Sequence, residues 1–547
     1  MTPFRFLALL VSSTFISACL SRVLTNSTSS TGAFEAKTLI WAKKGTSKED
    51  AEGFHDALVG MVGDENQVES ISDGDGVPCL WRAALTTAQI DEVGADRVVD
   101  YVGTDQKVLV ENPDSATTTD NRQQLQKRAG LSQTPDDGWA PHIVDLRMLS
   151  TAPSQPLSDS YRYQEPAGKG ITVYIIDSGS FNLEHTQFQT EDPTITRRIL
   201  SNPIDPKEAE RYDEWSNHGT RVASKAVGKT VGVAKLANLV VVRVPREPDV
   251  FDVIEAWDAV SEDIKKRNLQ GKAVVSTSLH SKALIYDYLL STRIAEKYRT
   301  TLHKIASMDI PIICSAGSYF DDTRPPTWPS HLRTHVPLVV VGAANTDGTL
   351  YPFSPGDAST YAVGQALCAD FWTIPGGGLA PCVGIAFATP QIAGLAAYFL
   401  SQPLLREGGG LRKNSVAADM NALIRVSSYA RGASVGHLTY PPVAWNLVKP
   451  WCNPWERKHR GEDPVPGQDA PACSPLEHVH DQRSLLRCDF CGYENRLAMG
   501  TAKECEADEA RRYCEQTSGC QCKSHTTTFL SRVRPCFVSR GQSILGY

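Results

Sequence analysis

The chain has 547 residues, a charged fraction of 21% and a formal net charge of −7 at pH 7. That length is too great for one compact domain, and about three domains with a sizeable core are expected. Because no dense basic run and no acidic tail occurs, the composition argues against a nucleic-acid-binding protein.

The first 19 residues, MTPFRFLALLVSSTFISAC, have the layout of a secretory signal peptide. One arginine precedes an apolar stretch of suitable length, and small residues precede Cys19. The ending ISAC also resembles a bacterial lipoprotein cleavage site, an alternative that the sequence leaves open. No later segment offers the roughly 20 apolar residues of a membrane span. We therefore expect a secreted, extracellular protein without a membrane span.

Residues 38–102 alternate short apolar strands with helical stretches and predict a small α+β unit. The helical spacing of apolar residues is clearest in SKEDAEGFHDALVGMV. A polar segment follows and ends in LQKRAG at residues 125–130. Such a segment cannot bury a core, so it predicts a protease-sensitive linker. Lys127-Arg128 within it has the form of a dibasic processing site; an exposed basic doublet is the alternative.

From residue 168 onward, apolar runs predict a parallel sheet. The runs ITVYIID, LVVVRV, KAVVSTSL, IPIICSAG and PLVVVGAA are apolar throughout, which is typical of strands buried on both faces. Helical segments separate them, so an open α/β sheet with helices on both faces is expected. In such sheets, functional residues lie just beyond the carboxyl ends of the strands.

Three separated motifs suggest a site for nucleophilic catalysis. Asp177 ends the strand VYIID and is followed by a flexible Ser-Gly turn. His218 lies in SNHGTRVAS, where Gly219 is expected to break the loop and RVASKAVG to start a helix. The third motif, GIAFATP, occupies residues 384–390 at a predicted helix start. An aspartate in a turn or a solvated histidine is unremarkable alone, but the three motifs in this order are hard to assign to chance.

These residues resemble the motifs of the subtilisin-like serine peptidases, most closely the secreted fungal branch with an inhibitor-like propeptide. IIDSG, NHGTRVA and ATPQIAGLAAY follow the family's order, and LWRAALTTAQIDEV resembles the central segment of the propeptide. The resemblance covers approximately residues 38–103 and 129–445. It implies a subtilisin-like fold in which Asp177 and His218 are the acid and base of a catalytic triad.

The third motif departs from the family's Gly-Thr-Ser-x-Ala-Thr-Pro. Gly384 and the Ala-Thr-Pro of residues 388–390 fix the register, so Ala386 stands at the nucleophile position and Ile385 where threonine is usual. A methyl group cannot attack a carbonyl, because it has no proton that the histidine can take. In subtilisin, removing the serine lowers kcat by about a millionfold. The resemblance therefore implies a peptidase homologue without hydrolytic activity.

Two further departures point the same way. Ser318 stands where the resemblance places an asparagine that donates to the oxyanion, and losing that donor costs subtilisin about 10²–10³ in kcat. His280 and Ser281 replace two glycines of the wall that pairs with the substrate backbone, so the specificity pocket should be narrower. The substrate-binding residues implied by the resemblance are Ser278, Leu279, His280, Ser315, Ala316 and Gly317.

No other residue offers a clear substitute nucleophile. Cys382 lies four residues before Ala386, and in a secreted protein we expect it to form a disulfide, with Cys368 nearby. Ser315 and Ser318 belong to a different strand and have no supporting motif. The sequence predicts neither a metal site nor a cofactor for this domain.

The last hundred residues form a separate cysteine-rich segment that holds nine of the 14 cysteines. In a secreted chain this density predicts a disulfide module, and the CxxC spacing leaves a zinc site as the alternative. Because nine is an odd number, at least one bridge to Cys314, Cys368 or Cys382 is expected.

The sequence thus predicts four segments: a signal peptide (1–19), a propeptide with linker (20–128), a peptidase domain (129–445) and a cysteine-rich module (446–547). A chain without a nucleophile cannot free its own propeptide, so a kexin-like processing protease is the expected partner at Lys127-Arg128. We expect the domain to bind a polypeptide substrate or protein ligand without cleaving it. The alternatives are an active serine endopeptidase and an interaction protein that acts through the cysteine-rich module.

Overall fold

The computed structural model describes residues 37–73, 75–105, 144–153, 155–158, 160–179, 181–201, 217–245, 248–279, 281–282, 288–317, 327–370, 378–407, 410–435 and 438–448. The chain divides into two compact units, residues 1–104 and 105–547. The expected signal peptide, the doublet Lys127-Arg128 and the cysteines of the last hundred residues lie outside the described residues. Within the described ranges, no helix is long and apolar enough to cross a membrane.

The first unit is a four-stranded antiparallel sheet with two helices, in agreement with the α+β pattern of residues 38–102. Its elements are β1 Lys37–Ala42, α1 Lys48–Val62, β2 Glu69–Ser72, β3 Pro78–Ala84, α2 Thr87–Gly94 and β4 Val99–Thr104. The strand order is β2-β3-β1-β4. Trp81 of β3 packs edge-on against Phe54 of α1, with ring centroids 4.8 Å apart. Thr86 caps α2 through a reciprocal pair of hydrogen bonds with Gln89.

The second unit is a mixed α/β domain. Its helices are α3 Val144–Ser150, α4 His218–Val227, α5 Val250–Lys266, α6 Tyr288–Ala306, α7 Ile385–Ser401, α8 Pro403–Glu407 and α9 Val416–Val426. Its strands are β5 Thr172–Ser178, β6 Arg197–Ser201, β7 Asn238–Val244, β8 Ala273–Thr277, β9 Ser281–Lys282, β10 Ile312–Ser315, β11 Thr327–Trp328, β12 Leu338–Ala344, β13 Thr360–Val363, β14 Gln365–Asp370, β15 Gly378–Val383, β16 Tyr429–Ala430 and β17 Pro442–Val443.

Nine of these strands form one sheet in the order β16-β17-β13-β12-β10-β8-β5-β7-β6. Every neighbouring pair is parallel except β16 and β17. The five apolar runs of the sequence become β5, β7, β8, β10 and β12, which are consecutive in this order. The predicted open parallel sheet is therefore confirmed.

Helices cover both faces of this sheet, as predicted. Along β5, Val173 and Ile175 belong to the core that α4 and α7 share. Tyr174 lies between them and points to the opposite face, because side chains alternate along a strand. Its hydroxyl donates to the carboxylate of Asp263 on α5 at 2.5 Å. Burial on both faces explains why these strands are apolar throughout.

Buried polar contacts that the sequence analysis did not predict attach α3 to the rest of the second unit. Asp145 of α3 lies 2.5 Å from Nζ of Lys225 on α4, and both side chains are buried. The guanidinium of Arg431 donates to the carbonyls of Met148 and Thr151 at the end of α3. The segment around α3 is therefore an integral part of this domain.

Candidate active site

Asp177 lies at the carboxyl end of β5, between β7 and β8 in the sheet. Gly179 follows with a φ of 80°, a backbone conformation that favours glycine. The carboxylate is buried. Its Oδ1 accepts a hydrogen bond from the backbone N of Ser178 at 2.7 Å and lies 2.7 Å from Nδ1 of His218. The structure thus brings together the two residues that the first two motifs single out.

His218 is the first residue of α4, so the helix begins three residues before the predicted start at Arg221. The expectation that Gly219 breaks the loop is therefore wrong, because this glycine lies inside the helix. A Cβ at Gly219 would lie 2.5 Å from the ring of Phe181, so its role is to admit that ring. The carboxylate of Asp177 can only accept, so Nδ1 of His218 carries the shared proton and Nε2 is the basic nitrogen of the neutral ring.

Ala386 is the second residue of α7. The turn into this helix passes through Gly384, which has a φ of 142°. Phe387 follows Ala386, and its ring centroid lies 5.6 Å from that of His218, so the first turn of α7 lies beside the imidazole. The carbonyl of Ala386 accepts a hydrogen bond from Oγ of Ser278 at 2.8 Å. The side chain at this position is a methyl group, which has no reacting atom.

The predicted substrate-binding wall lies beyond two neighbouring parallel strands, β8 and β10. Ser278 and Leu279 follow β8, and Ala316 and Gly317 follow Ser315 at the end of β10. All five residues are buried, and Oγ of Ser315 accepts a hydrogen bond from the backbone N of Gly317 at 3.2 Å. The structure therefore places these residues side by side near position 386.

The other two predicted residues of the site, His280 and Ser318, lie outside the described residues. The narrowed pocket and the shortened oxyanion donor therefore remain predictions. Gly317 has a φ of 81°, and a Cβ there would lie 2.8 Å from the methyl group of Thr327. The space beside Gly317 is thus already filled by a neighbouring side chain.

Cys382 is bonded to Cys368, as the sequence predicts, with Cα atoms 6.0 Å apart. The bond lies in the β14–β15 hairpin, which leads directly into Gly384, and it removes Cys382 as a candidate nucleophile. Cys314 on β10 is fully buried, and burial raises the pKa of its thiol to about 12, so this thiol is unreactive. Cys368 and Cys382 pair with each other, and Cys314 is a free, buried thiol. None of these three cysteines therefore forms the bridge expected to the C-terminal segment.

Side chains of α4 hold this hairpin, a connection that sequence reasoning missed. Arg221, one turn after His218, forms a buried ion pair with Asp370 at 2.8 Å. Nζ of Lys225 donates to the carbonyl of Leu367 at 3.2 Å. The helix that carries the histidine is therefore fixed to the hairpin that precedes position 386. The sequence contained one indication of this connection, because RVASKAV has two basic residues among small apolar ones. A buried charge needs a partner, so acidic or carbonyl groups could have been expected to contact these side chains.

This arrangement supplies an oriented general base but no described nucleophile. In a serine peptidase, the aspartate fixes the tautomer of the histidine and stabilises the imidazolium that forms as the serine proton is taken. Asp177 and His218 have the geometry for that step, whereas Ala386 offers only carbon. Among the described residues, no three His, Cys, Asp or Glu side chains are grouped to hold a metal ion.

His185, on the loop after β5, should make the second unit less stable in acid. Its Nδ1 accepts a hydrogen bond from the backbone N of Gln187 at 3.1 Å, and its Nε2 lies 3.0 Å from the carbonyl of Gly378. Only the neutral ring satisfies both contacts, and burial lowers the pKa below the ordinary 6.5. As the pH falls, His185 is therefore protonated in the unfolded chain before it is protonated in the folded protein. The stabilisation that the neutral ring gives to the folded state is complete above about pH 6.5, and it is lost as the pH falls towards the pKa of His185 in the folded state.

Thermal unfolding of the wild type and of His185→Gln between about pH 5 and pH 7.5 measures this effect. The melting temperature of the variant should depend less on pH in this range, since glutamine does not titrate. Burial also lowers the pKa of His303 and His331, but those contributions are common to both proteins and cancel in the difference. Equal pH dependences would contradict the assignment.

Comparison with known proteins yields one family. A model described as the Subtilase family matches residues 168–412. Subtilase-type proteinase psp3 of Schizosaccharomyces pombe is 30% identical over 247 residues, which make up 44% of this chain and 49% of the relative. Subtilisin-like protease 1 of Arthroderma otae is 25% identical over 374 residues, 66% of this chain and 67% of the relative. The chain thus spans about half the length of psp3.

A solved structure agrees at the level of the fold. The epidermin leader peptide processing serine protease of Staphylococcus aureus aligns with 75% of this chain and 97% of its own chain, with a TM-score of 0.51 and 13% identity. At that identity the likeness concerns the fold alone. The family model thus matches residues 168–412, the part of the chain that holds the parallel sheet and the three motifs, and the curated relatives are named as subtilase-type or subtilisin-like proteases of fungi.

Proposed function

We propose that this chain is a secreted subtilase homologue that binds polypeptide without hydrolysing it. The observation that carries the proposal is the juxtaposition of the Asp177–His218 hydrogen bond, 2.7 Å long, with the methyl side chain of Ala386. An acyl-enzyme requires a bond from the protein to the substrate carbonyl carbon, and a methyl group cannot form one. The base is in place, but it has no hydroxyl to deprotonate.

The intact Asp177–His218 pair does not argue for activity. Both side chains are buried, and the carboxylate also accepts a hydrogen bond from the Ser178 amide. Replacing one member would leave the other buried without its partner, which costs about 1–3 kcal/mol. Stability of the fold is therefore sufficient reason for both residues to be present.

The wall formed by residues 278–279 and 315–317 supports binding of an extended chain. These segments continue beyond the carboxyl ends of β8 and β10, where open parallel sheets bind their ligands. An extended polypeptide there binds through main-chain hydrogen bonds. Side chains of the ligand would then meet a wall that is close-packed at Gly317, where Thr327 fills the adjacent space. The ligand class is accordingly an extended, accessible polypeptide segment.

The proposal also includes removal of the propeptide by a separate protease. Residues 20–128 act as the propeptide, and a kexin-like protease of the secretory pathway cuts after Lys127-Arg128. The doublet lies between the end of the compact first unit at Thr104 and the start of α3 at Val144. A cut there leaves α3 and its buried contacts to α4 within the mature domain.

Active serine endopeptidase is the second candidate, because the printed names of the relatives describe proteases. Hydrolysis would then require a nucleophile other than position 386. In the described part of the site, Cys382 is bonded to Cys368 and Ser315 accepts a hydrogen bond from Gly317 while fully buried on β10. Neither residue favours this candidate.

A single experiment separates the two candidates. The purified protein is mixed with a fluorophosphonate probe and, separately, with fluorescein-labelled casein, whose binding is followed by anisotropy and whose integrity is followed by gel. We expect no probe label and a casein complex that stays intact. Casein cleavage that disappears in His218→Ala would establish the peptidase, and absence of both binding and cleavage would overturn the proposal.

A further inference from the structure

Asn217, the residue before His218, carries a buried amide that has no hydrogen-bond partner among the described residues. The residue is 2% exposed, and neither Oδ1 nor Nδ2 has a hydrogen-bond partner in the part of the chain that the structure describes. Leaving a buried donor and acceptor unpaired is costly, and such groups are rare in folded proteins. An amide in this state beside the imidazole therefore calls for a specific explanation.

The backbone position of Asn217 makes its unpaired amide more unusual. Asn217 is the N-cap residue of α4. At that position an asparagine ordinarily accepts a hydrogen bond from the amides of the first helical turn. Here φ is −97°, ψ is −2° and the side chain makes no capping hydrogen bond. The amide is therefore not used by its own helix, and both of its polar atoms remain available to another group.

Asn217 is also adjacent to the candidate site. His218 bonds to Asp177 and lies next to Phe387, the residue after Ala386. In this structure His218 is 6% exposed and Ala386 is 8% exposed, so Asn217 is about as enclosed as the residues it adjoins. Because Asn217 directly precedes His218 at the start of α4, a ligand bound at the imidazole also lies close to Asn217.

A primary amide offers one acceptor and two donor hydrogens, which match the N–H and C=O groups of a peptide backbone. We infer that Asn217 binds the main chain of the polypeptide ligand: Nδ2 donates to a peptide carbonyl and Oδ1 accepts from a peptide N–H. Both bonds involve backbone groups, so the contact suits ligands of varied sequence. The inference rests on the proposed function and adds one defined contact to its polypeptide site.

The test compares two buried asparagines in the full-length protein. Asn217→Leu removes the unpaired amide, and Asn217→Ala is a second variant in case leucine does not fit. Asn446→Leu is the matched control: Asn446 is 1% exposed, its Nδ2 donates to the carbonyl of Arg162 at 2.6 Å, and its Oδ1 accepts from the backbone N of Val448 at 3.2 Å. Each variant is measured for its melting temperature and for anisotropy of fluorescein-labelled casein.

Substitution at Asn217 should change casein affinity without loss of thermal stability, whereas substitution at Asn446 should lower thermal stability without a change in affinity. For Asn217→Leu we expect about tenfold weaker casein binding, the loss of two modest hydrogen bonds, with a melting temperature that is unchanged or higher. For Asn446→Leu we expect a lower melting temperature and unchanged affinity. Unchanged affinity in both Asn217 variants, or a loss of affinity that accompanies a lower melting temperature in both, would overturn the inference. If the wild type itself does not bind casein, the proposed function fails, which is a distinguishable result.

Discussion

Replacing Ala386 with serine should give a protein that reacts with a fluorophosphonate probe, whereas the wild type should not react. A hydroxyl at the second residue of α7 would stand beside the imidazole, since Phe387 next to it already lies 5.6 Å from the ring of His218. Asp177 holds Nδ1 of that ring at 2.7 Å, which leaves Nε2 as the basic nitrogen that accepts the proton. The measurement is covalent labelling, located at residue 386 by mass spectrometry.

Peptide hydrolysis by Ala386→Ser should nevertheless stay weak. Ser318 occupies the position of the oxyanion donor, and loss of that donor in subtilisin lowers kcat by about 10²–10³. The double variant Ala386→Ser with Ser318→Asn should therefore hydrolyse casein about 10²–10³ times faster than Ala386→Ser alone. Equal rates for the two variants would show that Ser318 does not limit the chemistry.

The control for both variants is His218→Ala in the Ala386→Ser background. Without the imidazole the new hydroxyl has no base, and labelling should return to the level of the wild type. Labelling that persists in this control would come from a residue outside the predicted site. A well-folded Ala386→Ser protein that takes no label would contradict the assignment of Asp177 and His218 as a competent pair.

The sheet and the position of the aspartate–histidine pair could be predicted because local sequence encodes them. Consecutive apolar residues such as LVVV in β7 arise because this strand is buried on both faces by helices. Asp177 marks the end of such a run, and strand ends are where an open sheet presents functional groups. The bond between Cys368 and Cys382 was predictable for a similar reason, since both cysteines lie close in sequence.

The contacts that assemble the site could not be predicted in this way. Arg221 and Asp370 are 149 residues apart, and nothing local to either indicates the other. The helix start at His218 was not predicted, because a glycine at position 219 is typical of a loop. In the structure Gly219 lies within the helix, where it makes room for the ring of Phe181. The sequence likewise does not reveal the unpaired amide of Asn217, because whether a side chain finds a hydrogen-bond partner depends on all of its neighbours in the folded structure.

Replacing Lys225 with methionine should destabilise the second unit by about 3–5 kcal/mol. Its ammonium lies 2.5 Å from Asp145, and both side chains are buried. Burial lowers the pKa of Lys225 and raises that of Asp145, because each charge loses its hydration. Methionine fills a similar volume, so the loss should come from the carboxylate left unpaired. Urea unfolding of the variant and the wild type measures the difference.

The double variant Lys225→Met with Asp145→Leu distinguishes the unpaired charge from the loss of packing. Two apolar side chains of similar volume leave no buried charge behind, so most of the stability should return, or the protein should become more stable than the wild type. Lys169→Met provides an exposed comparison: its pair with Asp192 has the same kind of contact at 2.7 Å, but exposed ion pairs contribute little to stability because solvent screens the charges. If the double variant is as unstable as Lys225→Met, the cost lies in packing or in the lost bond from Lys225 to the Leu367 carbonyl. In that case the ion pair with α3 is not what stabilises this part of the domain; the packing of the Lys225 side chain or its link to the hairpin before position 386 does.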